Sequence, residues 1–251
     1  MRLSLGEIKV ILKYKNEVFS NDSKIYLFGS RLDNAKKGGD IDLFIETENN
    51  DDLFERKIEF LRKVKNVLGE QKIDVVFSKD STRLIELEAK KGIELNLNSI
   101  KLTKYFNECD KHLQRIEEAY SDICSQLPIS VEKYNKLTKD EVQAIDQYLY
   151  RFSKLQDTMG DKIFGLIIEK FQANRAKLPF IDMLNYLEKL EFITSAKEWI
   201  KLREIRNNIA HQYDDEPEEM APAITAMLNQ KEIIKSIYLQ LKDKANNAKY
   251  T

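Results

Sequence analysis

Asp40 and Asp42 stand two residues apart in the stretch Gly39-Asp40-Ile41-Asp42-Leu43, a spacing that suits a strand. Side chains two apart on a strand leave the same face, so the two carboxylates project side by side. Anions held that close repel each other unless a cation sits between them. Hard oxygen donors of this kind suit Mg²⁺ or Mn²⁺, ions that in turn hold a triphosphate. A third acid, Asp74, lies within Ile73-Asp74-Val75-Val76, where a carboxylate among β-branched residues makes poor core. It is placed to complete a second metal site or to accept a proton from an attacking hydroxyl. Upstream, Gly29-Ser30 closes an earlier strand. Glycine lets the backbone approach phosphates, and the serine hydroxyl and nearby N–H groups can donate to them. A lone Asp-x-Asp is often no more than a solvated strand end, but the turn, the pair and the third acid together form a constellation.

A second group lies near the C-terminal end, in Arg203-Glu204-Ile205-Arg206-Asn207-Asn208-Ile209-Ala210-His211-Gln212-Tyr213. At roughly 100° per residue on a helix, Asn207 and His211 share a face, while Arg206 and His211 lie about 140° apart. A long arginine side chain can curl back across that angle, and a dimer could bring two copies of the motif together. Arginine can clamp a phosphate, and histidine can move a proton to or from a ribose hydroxyl or a leaving oxygen. Asn207 could orient the imidazole or touch the phosphate, and none of this requires a metal. The plainer reading is a helix C-terminus where Arg206 and His211 complement the dipole.

The elements that must carry these groups differ along the chain. Up to about residue 98, helix and strand alternate. Leu5, Ile8, Ile11 and Leu12 mark one helical face, and Lys24 to Phe28 reads as a strand. A loop with Asp33, Asn34, Gly38 and Gly39 leads to a second strand, Asp40 to Glu46. The spacing then predicts a helix over Asp52 to Leu68 ended by Gly69, a strand over Lys72 to Phe77, and a short helix over Ser81 to Lys91. From about Leu102 no strand is predicted. Lys139 to Met159 reads as one long helix capped by Thr138, Ser195 and Glu198 as a capping box, and Pro217 to Lys244 as a final helix. The expected fold class is α+β: a small mixed-sheet domain over residues 1–98, then an all-α helical bundle over residues 99–251.

Composition sets bounds on the function. The 251 residues carry a formal net charge of −1, so no global positive field draws the chain to nucleic acid or to an anionic membrane. No apolar run reaches the roughly 20 residues of a membrane-spanning helix, and the first residues are unlike a signal peptide. Cys109 and Cys124 fit neither a disulfide framework nor a zinc pattern and read as reduced thiols of a cytoplasmic protein.

Phe28-Gly29-Ser30-Arg31, Gly39-Asp40-Ile41-Asp42-Leu43 and Ile73-Asp74-Val75 resemble the minimal nucleotidyltransferases of the polymerase-beta-like superfamily, over about residues 24 to 78. The resemblance implies ATP as substrate, with nucleotide binding at Gly29, Ser30 and Arg31. It implies metal binding at Asp40, Asp42 and Asp74, with Asp74 also assisting the acceptor hydroxyl. Two departures stand out: a serine often precedes the first aspartate where this chain has Gly39, and the loop after the turn is about one residue short. Both bear on phosphate contacts more than on reaction type.

Arg206-Asn207-x-x-Ala210-His211-x-Tyr213 resembles the signature of HEPN domains, helical bundles that include many dimeric, metal-independent endoribonucleases. Leu149 to Phe164 reads like a HEPN-type helix pair broken at Gly160. The resemblance implies catalytic roles for Arg206, Asn207 and His211, RNA as substrate, and a homodimer or higher homo-oligomer. Minimal nucleotidyltransferases and HEPN proteins are often paired as antitoxin and toxin, the transferase moving AMP from ATP onto the tyrosine of the motif. The acceptor here would be Tyr213, where an added phosphate would compete with RNA for Arg206. Asp214, Asp215 and Glu216 read as a solvated acidic turn. Two other expectations are open. One is a nucleotidyltransferase acting on a small molecule such as an aminoglycoside. The other is a non-catalytic module, whose mark would be loss of Asp40 or Asp42; both are present.

Overall fold

Ser4 starts the first helix, α1 (Leu5–Phe19), with a capping box: its hydroxyl accepts from the Glu7 N–H and its own N–H donates to the Glu7 carboxylate. Strand β1 (Lys24–Phe28) follows, then a 3₁₀ turn over Gly29–Leu32 and strand β2 (Ile41–Glu46). Helix α2 (Leu53–Leu68) ends at Gly69, where φ is +82°, and leads to strand β3 (Ile73–Phe77). Helix α3 (Leu84–Lys90) and the two-residue strand β4 (Ile93–Glu94) complete the region. The computed structural model describes residues 1–33, 39–78, 83–171, 178–210 and 216–247. The chain divides into two units, Met1–Ile100 and Lys101–Thr251.

The sheet of the first unit has the order β3-β2-β1-β4. β1 is antiparallel to β2 and to β4, whereas β2 and β3 are parallel, so the sheet is mixed. Alternate residues (Ile25, Leu27, Ile41, Leu43, Ile45, Ile73, Val75) form one core with Ile8 and Ile11 of α1 and Phe60 and Val64 of α2. The intervening positions, Asp42, Phe44 and Asp74 among them, take the other face. There α3 lies against β1 and β2, and Lys90 reaches Glu46 at 3.7 Å. One face of the sheet is thus sealed by two helices. The other is covered by α3 at its Phe44 and Glu46 end, where Phe44 is fully buried, and Asp42 and Asp74 remain partly exposed at its opposite end.

The second unit is helical throughout its described residues, as its spacing predicts. Its helices are α4 (Leu97–Ile123), α5 (Val131–Tyr134), α6 (Lys139–Asp157), α7 (Phe164–Phe171), α8 (Phe180–Lys189), α9 (Ala196–Ala210), α10 (Pro217–Leu228) and α11 (Lys231–Asn247). Thr138 and Glu141 form the capping box that starts α6. Tyr148, Phe152, Leu155, Phe164, Trp199, Leu202 and Tyr238 are at the heart of the core.

Two expectations need correction. The final stretch is two helices, turned at Asn229 and Gln230, because apolar residues keep helical step on both sides of the turn and hide it. Gly160 does not break a helix pair. Residues Thr158–Ile163 form a π turn that joins α6 to α7 without interruption, and the Phe164 N–H donates to the Met159 carbonyl five residues back. The glycine faces an indole across that turn: a Cβ there would stand 3.4 Å from Cζ2 of Trp199, an ordinary van der Waals contact. Both cysteines are free, Cys109 buried and Cys124 exposed. Among the described residues no helix is long and apolar enough to cross a membrane.

Candidate active site

Asp42 sits near the start of β2, on the sheet face that α3 only partly covers, and its neighbours are set by strand register. It pairs across with Phe28, the last residue of β1, and on its other side with Asp74 of β3. The next residue after Phe28 is Gly29, whose φ of +74° is a conformation that L side chains rarely adopt. A Cβ at Gly29 would stand 2.3 Å from Oδ2 of Asp42, so the backbone of the turn lies directly on the carboxylate. The turn is further tied by Arg2, whose N–H donates to the Arg31 carbonyl at 2.8 Å and whose guanidinium donates to the Ser30 carbonyl at 3.1 Å.

Asp40 lies just before β2, and its Oδ2 accepts from the ammonium of Lys72 at 2.5 Å. The same ammonium is 3.7 Å from Oδ2 of Asp74. Burial pushes the Asp42 carboxyl above the ordinary carboxylate range, and the charges of Asp74 and Asp40 push the same way against Lys72 and Arg31. The hydrogen bond to Asp40 raises Lys72 above its usual value. Arg31 turns to the backbone: Nη2 donates to the Gly39 carbonyl at 2.6 Å and Nη1 to the Arg2 carbonyl at 3.2 Å. It therefore joins the turn to the start of β2, and its charge still acts on Asp42.

The donor set fits a divalent cation. Three carboxylates converge from two adjoining strands, the most enclosed of them resists ionisation, and a positive group is already drawn onto the other two. As they stand, no three His, Cys, Asp or Glu side chains among the described residues form a metal-gripping group.

In the second unit, Arg206 and Asn207 lie in the last turns of α9. Arg206 Nη1 is 2.5 Å from Oδ1 of Asp157, and Nε and Nη2 donate to Oδ1 of Asn207 at 3.3 and 3.1 Å. Asp157 ends α6, immediately before the π turn. Trp199, packed at Gly160, is on α9 as Arg206 is, so an ion pair and a close contact hold the same two stretches together. An open groove of roughly 420 Å³ runs past Tyr150, Ser153, Asp157, Arg206 and Asn207. Tyr150 is 55% exposed, and the cations of Arg151 and Lys154 lie 5.3 and 5.7 Å from its ring centre. His211 and Tyr213 lie outside the described residues. The other histidine, His112, is buried on α4 with Nδ1 3.4 Å from Nη1 of Arg151; burial and that arginine lower its pKa, which suits a neutral packing residue.

With this geometry in view, residues 7–101 match a family model described as Polymerase beta, Nucleotidyltransferase. The first unit carries a nucleotidyltransferase domain. No curated protein and no solved structure matches the chain. The family match stops at residue 101, so the helical unit has only its own residues to speak for it.

Within the nucleotidyltransferase domain, Gly29, Asp40, Asp42 and Asp74 come together as their spacing predicts. Lys72 was missed, although the rule that found the acids also finds it: two residues before Asp74 on a strand, it shares that residue's face. Asp157 was missed for a different reason. It is 49 residues from Arg206, and only the packing of α6 against α9 brings them together.

Proposed function

We propose that the protein is a Mg-ATP-dependent adenylyltransferase whose acceptor is Tyr213 of its own chain, and that the helical unit is a metal-independent HEPN-type endoribonuclease silenced by that modification. The observation that carries the transferase reading is the convergence of Asp40, Asp42 and Asp74 beside the Gly29 turn. Asp40 and Asp42, with Asp74, would hold Mg²⁺ or Mn²⁺, which supplies Lewis-acid polarisation of the phosphates. The Gly29-Ser30 turn offers its backbone to the triphosphate. Asp74, the exposed acid of the three, accepts the proton as the acceptor oxygen bonds to the α-phosphorus of ATP. The bond from that phosphorus to the β-phosphate oxygen breaks, and pyrophosphate leaves.

The ribonuclease reading is supported by Arg206 and Asn207, oriented together at the groove, with His211 four residues beyond Asn207 to carry the proton. Arg206 would clamp the scissile phosphate, and Tyr150 with its two neighbouring cations would take a base of single-stranded RNA. A second copy of the chain would bring a second motif to the RNA. An adenylyl group on Tyr213 would add bulk and a phosphate beside Arg206 and exclude the substrate.

Intact-mass measurement after incubation with ATP and Mg²⁺ tests the transfer. The expected result is a gain of one or more adenylyl groups, absent from Asp40→Asn/Asp42→Asn and from Tyr213→Phe. A gain that survives Tyr213→Phe removes the acceptor assignment, and transfer to an added aminoglycoside with Tyr213 untouched reassigns the substrate. For the nuclease, the Asp40→Asn/Asp42→Asn protein should cleave RNA without metal, and adding His211→Ala should abolish the cleavage.

A further inference from the structure

The register of β2 and β3 does more than bring three acids together. Ile41 pairs with Ile73 and Asp42 with Asp74, and the Ile41 N–H donates to the Lys72 carbonyl at 2.9 Å. One step back along both strands, Asp40 and Lys72 are therefore neighbours by backbone design. The four residues stand at the corners of a rectangle, with Asp42 and Asp74 paired on β2 and β3, and Asp40 and Lys72 two residues earlier, just ahead of each strand. Three corners are negative and one is positive.

The positive corner occupies the oxygens that a metal would need. The Lys72 ammonium rests on Oδ2 of Asp40 and faces Oδ2 of Asp74, at 2.5 and 3.7 Å. A divalent ion binds a carboxylate oxygen at about 2.1 Å. Ammonium and ion on one oxygen would be held within a few ångströms as like charges, so they exclude each other. The lysine can leave: its side chain is 67% exposed, so moving it uncovers no core, and its four-carbon stem is flexible. What it lacks, if it leaves for water, is another anion. A nucleotide's polyphosphate is such an anion, and it arrives beside the same carboxylates.

We propose that Lys72 is the built-in counter-ion of the three-acid site, displaced onto the polyphosphate as metal and nucleotide enter, and that it thereby couples metal binding to nucleotide binding. Free metal must compete with the ammonium. Metal that comes with a nucleotide does not, because the nucleotide takes the ammonium over. By linkage the coupling is reciprocal, each partner raising the affinity of the other by the same factor. The proposal rests on reading Asp40, Asp42 and Asp74 as a metal site.

The test uses Mn²⁺ as probe, titrated into the full chain and followed by electron paramagnetic resonance, with and without a non-hydrolysable ATP analogue. Lys72→Met keeps most of the stem and removes the charge, and Lys72→Gln is a second variant of the same kind. Both should bind Mn²⁺ alone roughly tenfold or more tightly than the wild type does. The gain in Mn²⁺ affinity on adding the analogue should shrink by a similar factor. Equal or weaker Mn²⁺ binding by both variants, with Asp42→Asn losing the ion as expected, overturns the role of Lys72 alone. If Asp42→Asn binds Mn²⁺ as the wild type does, or no form binds it even with the analogue, the metal-site reading falls and takes this one with it.

Discussion

Asp42 and Arg206 are both charged groups fixed at a candidate site, but they are fixed by different means. Asp42 is held by backbone: a neighbouring strand on each side, and a glycine turn whose missing Cβ leaves just enough room for the carboxylate. Arg206 is held by side chains: a carboxylate from α6 and the amide of the next residue. Backbone placement is stiff and depends on single atoms. Side-chain placement is softer and depends on helices staying packed, as Trp199 keeps them. The two sites should therefore fail in different ways when changed.

The largest effect is expected from the packing that carries the softer site. Trp199 is 1% exposed and packs at a tilt against Phe164 with 4.7 Å between ring centres, so Trp199→Ala should cost about 3–5 kcal/mol in denaturant unfolding. Mn²⁺ binding by the N-terminal acids should persist, since their core is a separate cluster. Loss of both together would break the contrast. Next comes Gly29→Ala, where the new methyl must displace the Asp42 carboxylate from its place. A misplacement on the order of 1 Å costs roughly 10²-fold in rate, and initial rates of adenylyl transfer should fall by about that much. A near-normal rate would mean that the turn is not what positions the acid.

Asp157→Ala sharpens the comparison from the other side. The pair is partly exposed, so unfolding should change by less than about 1 kcal/mol. RNA cleavage by the Asp40→Asn/Asp42→Asn protein should fall on the order of tenfold through loss of a placed arginine, with partial recovery in Asp157→Glu. Faster cleavage would instead make Asp157 a restraint on Arg206. The smallest effect concerns Glu117, tied to Lys235 at 2.7 Å and Lys231 at 3.2 Å. The hydrogen bond to Lys235, then that to Lys231, lowers its pKa. Its contribution is complete above the unfolded value of about 4.3 and fades as pH falls through the lower folded one. The stability difference between wild type and Glu117→Gln, less than about 1 kcal/mol for so exposed a pair, should narrow as acid unfolding is followed from about pH 5 to pH 3.

Strand grammar made the first site legible. Period-two alternation gave β1, β2 and β3, placed Asp40, Asp42 and Asp74 on one face, and held Lys72 for anyone who applied it once more. Strand β4 escaped because two residues carry no periodicity. Arg31 was legible as a cation near the turn but not as a tie to Gly39, since that depends on how a loop returns. Helical grammar gave the second unit's class and the start of α6, but it could not show which helix meets which. Asp157 is invisible from Arg206, and one apolar stripe spans both α10 and α11. Gly160 was the most instructive case. Glycine is a common helix breaker, yet here it sits inside a continuous helix beside an indole, with ordinary contact room for a methyl group.

The π turn at Thr158–Ile163 has a consequence for the length of the chain. A wider turn is what a helix adopts when it holds one residue more than α winding can place. Deleting one residue between 158 and 163 should let ordinary winding resume with the turns on either side still in phase, so that Asp157 keeps facing Arg206 while Phe164 and Ile168 keep facing the core. Inserting a residue there and winding it as α-helix would instead rotate everything before the turn by about 100° against everything after it. Asp157 would then swing away from Arg206, or Phe164 and Ile168 would leave the core. The turn already holds its one surplus residue, so this helix should bear a single deletion here far better than a single insertion.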